Sequence, residues 1–458
     1  MNKLTADTTR LTAFALSLSM LAACSTADIR RVIEPEPSND DARFEPEAAP
    51  ERPAPVATTA VAAPQPAARP ATPPQPRQTE PEVPAWDGYL DYVASHCVVD
   101  RFLTDRYSIE LLQARGQAPL DEKRPHLPAN TLPPSPGDLS YPVYAAQLKA
   151  DWRANPRSHV LDCSVEVAPR DCPTCKNETE RTKTFRYGIY VPKQFVETPG
   201  TTKSVLLLAP GGRGGRVRWF LEPEAYKVNK KRMTQGLGIQ AKLDTHLEEH
   251  PELLAPLVIT MDDPGFGYTN GTGEFMTHDL VQHILATYLP GRTRDDIAYG
   301  VDAISSGSKN AAMAFVDKPE AFDTFGWMCT FCSDDGGFDP DRYFREGRAG
   351  ENAMKVWGGR AAKGDLHMKF SIGKNDPFLG CNQKMHTLLV EGGVIANEHE
   401  PMERDCADNG QGKQGCVTVR PAMTEYPDVG HNYSLMPLAF DEHLYWHVEK
   451  LTVVAQGR

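Results

Sequence analysis

A serine, an aspartate and a histidine stand at positions 305, 376 and 431, each in a segment that suits a turn just beyond a strand. A hydroxyl, an imidazole and a carboxylate together can act as nucleophile, general base and orienting group. Ser305 lies in Ala303-Ile304-Ser305-Ser306-Gly307. Small residues two before and two after it permit a strained turn that lifts the hydroxyl above a sheet, and the next N–H, from Ser306, faces the same space. Ser308 competes, but its flanks are Ser306 and Asn310 and it would fall inside the following helix. An ordinary helix N-cap would also place a serine here. Asp376 ends Gly373-Lys374-Asn375-Asp376, and His431 ends Tyr426-Pro427-Asp428-Val429-Gly430-His431. A lone aspartate is usually solvated and a lone histidine usually structural. All three in this order, each after a strand, coincide far less readily.

Other loops offer weaker signals. Pro210-Gly211-Gly212-Arg213-Gly214-Gly215 follows an apolar strand, and its glycines allow close backbone approach. It lacks the closing Gly-Lys-Ser/Thr of a phosphate-binding loop. Phe266 and Tyr268, after another strand, either line a pocket or pack within their loop. Residues 333–339 match a calcium loop only loosely, because the ligand spacing fails. The polar insertion 396–416 either covers the site or decorates it.

The elements that must position these residues read as α/β. Segments 160–167 and 184–191 alternate like an antiparallel strand pair. Segments 204–209 and 257–261 are apolar on both faces, and further strands are expected over 297–303 and 367–372. Helical patterns fall over 234–249, 277–289, 306–317, 378–392 and 435–453, with weak helical spacing over 89–112. This alternation predicts a mostly parallel central sheet with helices on both faces and an antiparallel N-terminal strand pair. Such sheets bind ligands beyond the carboxyl ends of their strands.

The chain has 458 residues and a formal net charge of −12. With no concentrated basic block it repels phosphate backbones, so no nucleic-acid partner is expected. The start reads as an export signal. Lys3 and Arg10 precede the apolar run Leu11–Ala23, which ends in Leu21-Ala22-Ala23-Cys24. This resembles a bacterial lipobox, with residues 1–23 a lipoprotein signal peptide and Cys24 lipidated; ordinary cleavage with Cys24 incidental is the plainer alternative. Residues 24–84 read as a disordered, lipid-anchored Pro/Ala-rich linker, 85–157 as an N-terminal extension and 158–458 as the catalytic domain. Fourteen of the 39 prolines fall in 33–84, a segment that buries too little apolar surface to repay its ordering entropy. The expected location is the bacterial cell envelope, lipid-anchored to the outer membrane; Ser25 after the cysteine resembles the sorting preference for that membrane. Nine cysteines besides Cys24 favour disulfides in an oxidising compartment, with at least one unpaired, and Cys406 and Cys416 make one plausible bridge. Cys172-x-x-Cys175 and Cys329-x-x-Cys332 lie too far apart to argue well for zinc, and neither opens a helix in a short βαβ unit as a redox dithiol would.

Residues 158–450 resemble the esterase family of α/β-hydrolases that includes esterase D, feruloyl esterases, enterochelin esterases and mycolyltransferases. The resemblance rests on Tyr187-Gly188-Ile189-Tyr190-Val191-Pro192, on 206–215, on Ser305 with Lys318-Pro319-Glu320-Ala321-Phe322 behind it, on Gly373-x-x-Asp376 and on Gly430-His431. It departs at Pro210, where the family has His-Gly, at Ala303 and Ser308, where the family has glycine, and at Asp302 in an otherwise apolar strand. The resemblance implies an exported serine esterase acting through an acyl-enzyme. Ser305, Asp376 and His431 would be its triad, the N–H groups of Ser306 and Gly212 its oxyanion hole, and a small-molecule or glycan-linked ester its substrate. The reaction requires no metal or organic cofactor. The alternative is an inactive esterase-like lipoprotein with a binding or envelope-structural role, which Pro210 and Asp302 would favour.

Overall fold

The structure is a computed structural model. It describes residues 87–99, 139, 141–167, 183–211, 217–220, 237–261, 272–332, 338–344, 348–396, 401–408, 414–431 and 435–458. Cys24, the proline-rich segment 33–84, Cys172, Cys175, Gly212, Phe266, Tyr268 and residues 333–337 lie outside them. The chain divides into units 1–77 and 78–458, and every described residue belongs to the second.

Among the described residues, eleven strands, numbered in chain order with the ranges given below, form one sheet in the order β1-β2-β3-β5-β4-β6-β7-β8-β11-β10-β9. The centre comprises β5 (Leu257–Met261), β4 (Ser204–Ala209), β6 (Ala298–Ile304), β7 (Thr324–Met328), β8 (His367–Gly373) and β11 (Met423–Tyr426). These six run parallel. Residues of β4, β5, β6 and β7 are buried along their whole length, as expected of parallel strands covered on both faces. The helix Ser306–Asp317 packs on β4 and β6 and against the helix Arg348–Ala361. The C-terminal helix Met436–Gly457 packs on β4, β6, β7 and β8 and against the helix Ile239–Glu249.

The expected antiparallel pair is present as β2 (His159–Val167) and β3 (Lys183–Val191), and β3 joins the centre antiparallel to β5. The weak helical spacing of 89–112 yields a shorter helix, Asp87–His96, because β1 (Cys97–Val99) turns to pair with β2. A Cys97–Cys163 disulfide holds that pairing. Tyr89, Leu90, Val93 and Trp152 enter the same hydrophobic core as the central strands, so residues read as an extension help build the fold. The helix expected over 234–249 begins only at Ile239, after Gly238 in the left-handed region. At the opposite edge, 402–408 and 414–420 form the antiparallel strands β9 and β10, which extend the sheet past β11. The Cys406–Cys416 bridge closes that hairpin.

Candidate active site

Strand β6 ends at Ile304 and the next helix begins at Ser306, so Ser305 alone makes the turn. Its backbone takes φ 54° and ψ −119°. A non-glycine residue held in such a region costs on the order of 1–3 kcal/mol, so the surroundings must impose it. They do: Ser305 N–H donates to Met328 O at 3.0 Å, and Ser305 O accepts from the N–H of Lys309 and of Phe331, each at 3.2 Å. Gly307 completes the elbow for a steric reason. A Cβ there would stand 2.7 Å from Ala209 O and nearer still to Pro210 O. The loop after β4 therefore closes directly on the turn. Ser308 is buried with Oγ donating to Ala303 O at 2.6 Å, which makes it a structural hydroxyl.

Asp376 stands in the turn after β8, and His431 follows β11. Parallel pairing of β8 with β11 brings the two loops together. Lys374 N–H donates to Tyr426 O at 2.8 Å and Asn375 N–H to Val429 O at 2.9 Å, which joins the loops beyond the strands. His431 Nδ1 then lies 2.9 Å from Asp376 Oδ2, and His431 Nε2 lies 2.9 Å from Ser305 Oγ. The Asp376 side chain is wholly buried, and its other oxygen accepts from Phe378 N–H at 2.8 Å. With Nδ1–H donated to the carboxylate, Nε2 is left to accept the serine proton. The His431 side chain retains 22% exposure, enough to meet a ligand. Ser306 opens the helix, where first-turn N–H groups have no intrahelical acceptor. The partner donor expected at Gly212 lies outside the described residues.

Two side chains that sequence reasoning missed form a wall beside the imidazole. The Phe378 ring meets His431 edge-on at 4.8 Å, and the Phe331 ring meets Phe378 at 4.9 Å. Lys309 Nζ stands 5.9 Å from the Phe331 ring centre. A Cys332–Cys381 disulfide joins the two segments that carry these rings. It also shows that Cys329-x-x-Cys332 is no dithiol pair, since Cys329 is a buried free thiol. Cys329 takes φ 42° just after β7. Burial, reinforced by the nearby Asp376 charge, pushes its thiol well above the usual range, so it stays protonated. The signal for the wall was faint: Phe378 stands two residues after Asp376, and Phe331 two after a strand-end cysteine.

Asp302 points away from the elbow. It is fully buried, and its Oδ1 lies 3.1 Å from Nδ1 of His443 on the C-terminal helix. The charge that looks out of place in the sequence is thus paired, and it does not touch the Ser305–His431–Asp376 chain.

The strand order, the parallel centre and a strained serine turn at its carboxyl end, followed by an aspartate and a histidine, define an α/β-hydrolase fold. No protein-family model matches the sequence, and no curated protein matches it. Among solved structures, similarity is found to a ferulic acid esterase (13% identity, TM-score 0.44, covering 65% of this chain and 100% of the other). It is also found to a feruloyl esterase module of Clostridium thermocellum complexed with sinapinate (10%, 0.42, 65% and 89%). A third is an S-formylglutathione hydrolase of Agrobacterium tumefaciens (13%, 0.36, 64% and 96%). At scores of this size the functional reading rests on the site's own geometry.

Proposed function

We propose that this protein is an exported serine esterase that cleaves carboxylic esters through an acyl-enzyme. The observation that carries the reading is the continuous chain Ser305 Oγ–His431 Nε2, His431 Nδ1–Asp376 Oδ2, built on a strained elbow. Ser305 Oγ attacks the ester carbonyl while His431 Nε2 takes its proton. The carbonyl oxygen becomes an oxyanion, received by Ser306 N–H and a second backbone donor from the loop after β4. One such donor typically lowers the barrier by about 3 kcal/mol. The imidazolium, stabilised by buried Asp376, then protonates the departing alcohol. Water enters, His431 removes its proton, and the acyl group leaves as the acid with Ser305 regenerated. No step calls for a metal or an organic cofactor.

The Phe331–Phe378 wall supports an ester with a flat or bulky apolar part next to the scissile bond. The N-terminal sequence supports lipidation at Cys24 and anchoring to the outer membrane. A lipid chain contributes roughly 0.8 kcal/mol per buried methylene, and the segment 25–84 would act as a tether. A fluorophosphonate probe tests the chemistry. Specific labelling of Ser305 in the wild type, absent in Ser305→Ala, is expected, whereas an unlabelled folded protein would favour an inactive binding role. Cys24→Ser tests the anchor, since it should release the protein from the membrane fraction.

A further inference from the structure

Behind the elbow, on the side of the sheet covered by the C-terminal helix, lies a group of side chains that the ester chemistry does not use. Asp302 of β6 and His443 and His447 of the C-terminal helix are all fully buried. The histidines are four residues apart, so both project from one face of the helix. His443 Nδ1 lies 3.1 Å from Asp302 Oδ1, and His447 Nε2 lies 3.9 Å from the same oxygen. One donor atom from each residue falls within 4.8 Å of the other two.

The outer ring nitrogens are already occupied. His443 Nε2 pairs with Ser371 Oγ of β8, and His447 Nδ1 with Thr324 Oγ1 of β7, each at 2.8 Å. Metal-binding histidines commonly carry such a partner on the nitrogen that does not bind, because it fixes ring orientation and tautomer. Two of the inner atoms are not satisfied: at 3.9 Å His447 Nε2 is out of hydrogen-bond range of Asp302 Oδ1, and among the described residues neither it nor Asp302 Oδ2 has a hydrogen-bond partner. A buried carboxylate oxygen and a buried imidazole nitrogen left in this way are costly.

The backbone makes room for the same spot. Gly326 is paired with Asp302 across β6 and β7. A Cβ at Gly326 would stand 2.6 Å from His447 Nε2 and collide with Asp302 Oδ1. Glycine weakens a strand interior and often marks a close approach of other groups, here the space between these two donors.

We propose that Asp302, His443 and His447 form a structural binding site for a divalent first-row metal, zinc in the first instance. Two imidazoles and a carboxylate, with no thiolate among them, are a donor set that zinc accepts. The ion would pin the C-terminal helix to β6 three residues before Ser305, with β7 and β8 engaged through Thr324 and Ser371. It is sealed from solvent and takes no part in acyl transfer. It also gives the buried charge at Asp302 a purpose in a strand that is otherwise apolar.

The test uses the full chain, purified in detergent from zinc-supplemented cells with a tag that contains no histidine. Metal analysis should find about one zinc per chain, as expected of a folded structural site. Zinc-edge X-ray absorption should show two imidazoles with oxygen and no sulfur, which distinguishes this site from any cysteine site. Ser305→Ala should keep the metal, while His447→Gln should lose it and melt at lower temperature. Wild-type protein with no stoichiometric divalent metal would overturn the proposal, as would a sulfur-containing shell. Both readings come from the wild type and hold even if His447→Gln does not fold.

Discussion

Ser305 Oγ and His431 Nε2 lie 2.9 Å apart although 126 residues separate them in sequence. Ser308, three residues along, never reaches the imidazole, because it is buried against the Ala303 carbonyl. The two serines should therefore respond oppositely to the same substitution. Ser305→Ala should abolish hydrolysis of p-nitrophenyl esters with little change in melting temperature, since it removes the nucleophilic hydroxyl and keeps the Cβ that the strained turn already accommodates. Ser308→Ala should keep most of kcat while costing about 1 kcal/mol of stability, the usual worth of a buried hydrogen bond. Equal activity in wild type and Ser305→Ala would end the esterase reading.

Phe331 is the partly exposed member of the aromatic wall, at 36%. Phe331→Ala should raise KM for aryl-acid esters about fivefold and leave kcat nearly unchanged, because it removes about 1 kcal/mol of ring contact. Acetyl esters should be little affected. Steady-state kinetics on the two substrate series checks this, and equal losses on both would remove Phe331 from substrate selection.

At the other end of the strands Asp323 is fully buried among three guanidinium groups. Its oxygens lie 3.1 Å from Arg294, 2.7 Å from Arg360 and 2.6 Å from Arg458, and Tyr299 N–H donates to it at 2.8 Å. Asp323→Ala leaves these cations facing one another and a buried donor unpaired. Breaking a buried charge network in this way typically costs about 3–5 kcal/mol. Urea unfolding should show that loss, while labelling of Ser305 in the surviving folded fraction stays intact.

His283 makes stability depend on pH. Its Nε2 lies 2.8 Å from Tyr187 Oη and 3.2 Å from Tyr92 Oη. Burial, with a smaller push from His96, lowers its pKa from 6.5 to about 4. Between those values the unfolded chain binds the proton and the folded one does not, so this contribution is complete above about pH 6.5 and is lost as pH falls towards 4. By pH 5 the loss should be about 2 kcal/mol. His283→Gln should flatten that part of the stability–pH curve, and an unchanged slope would assign it to other groups.

Much of this protein is legible in the chain. Val205–Ala209 is apolar at every position and Leu257–Met261 at all but Thr260, the pattern of short strands covered on both faces. Ala303 and Gly307 bracket Ser305 because the elbow tolerates only small neighbours, and that steric demand is local. Such features depend on near neighbours in sequence, so sequence alone determined the α/β class and the three candidate site residues. Tertiary structure decided what depends on distant partners. Pairing of β8 with β11 sets Asp376 beside His431, and a disulfide over 49 residues seats Phe331 beside Phe378. Asp302 looks like an isolated charge in a strand until the C-terminal helix, about 140 residues later, lays His443 and His447 against it. Sequence records the side chain at each position, but the cost of burying a charge depends on what the folded chain brings within a few ångströms of it.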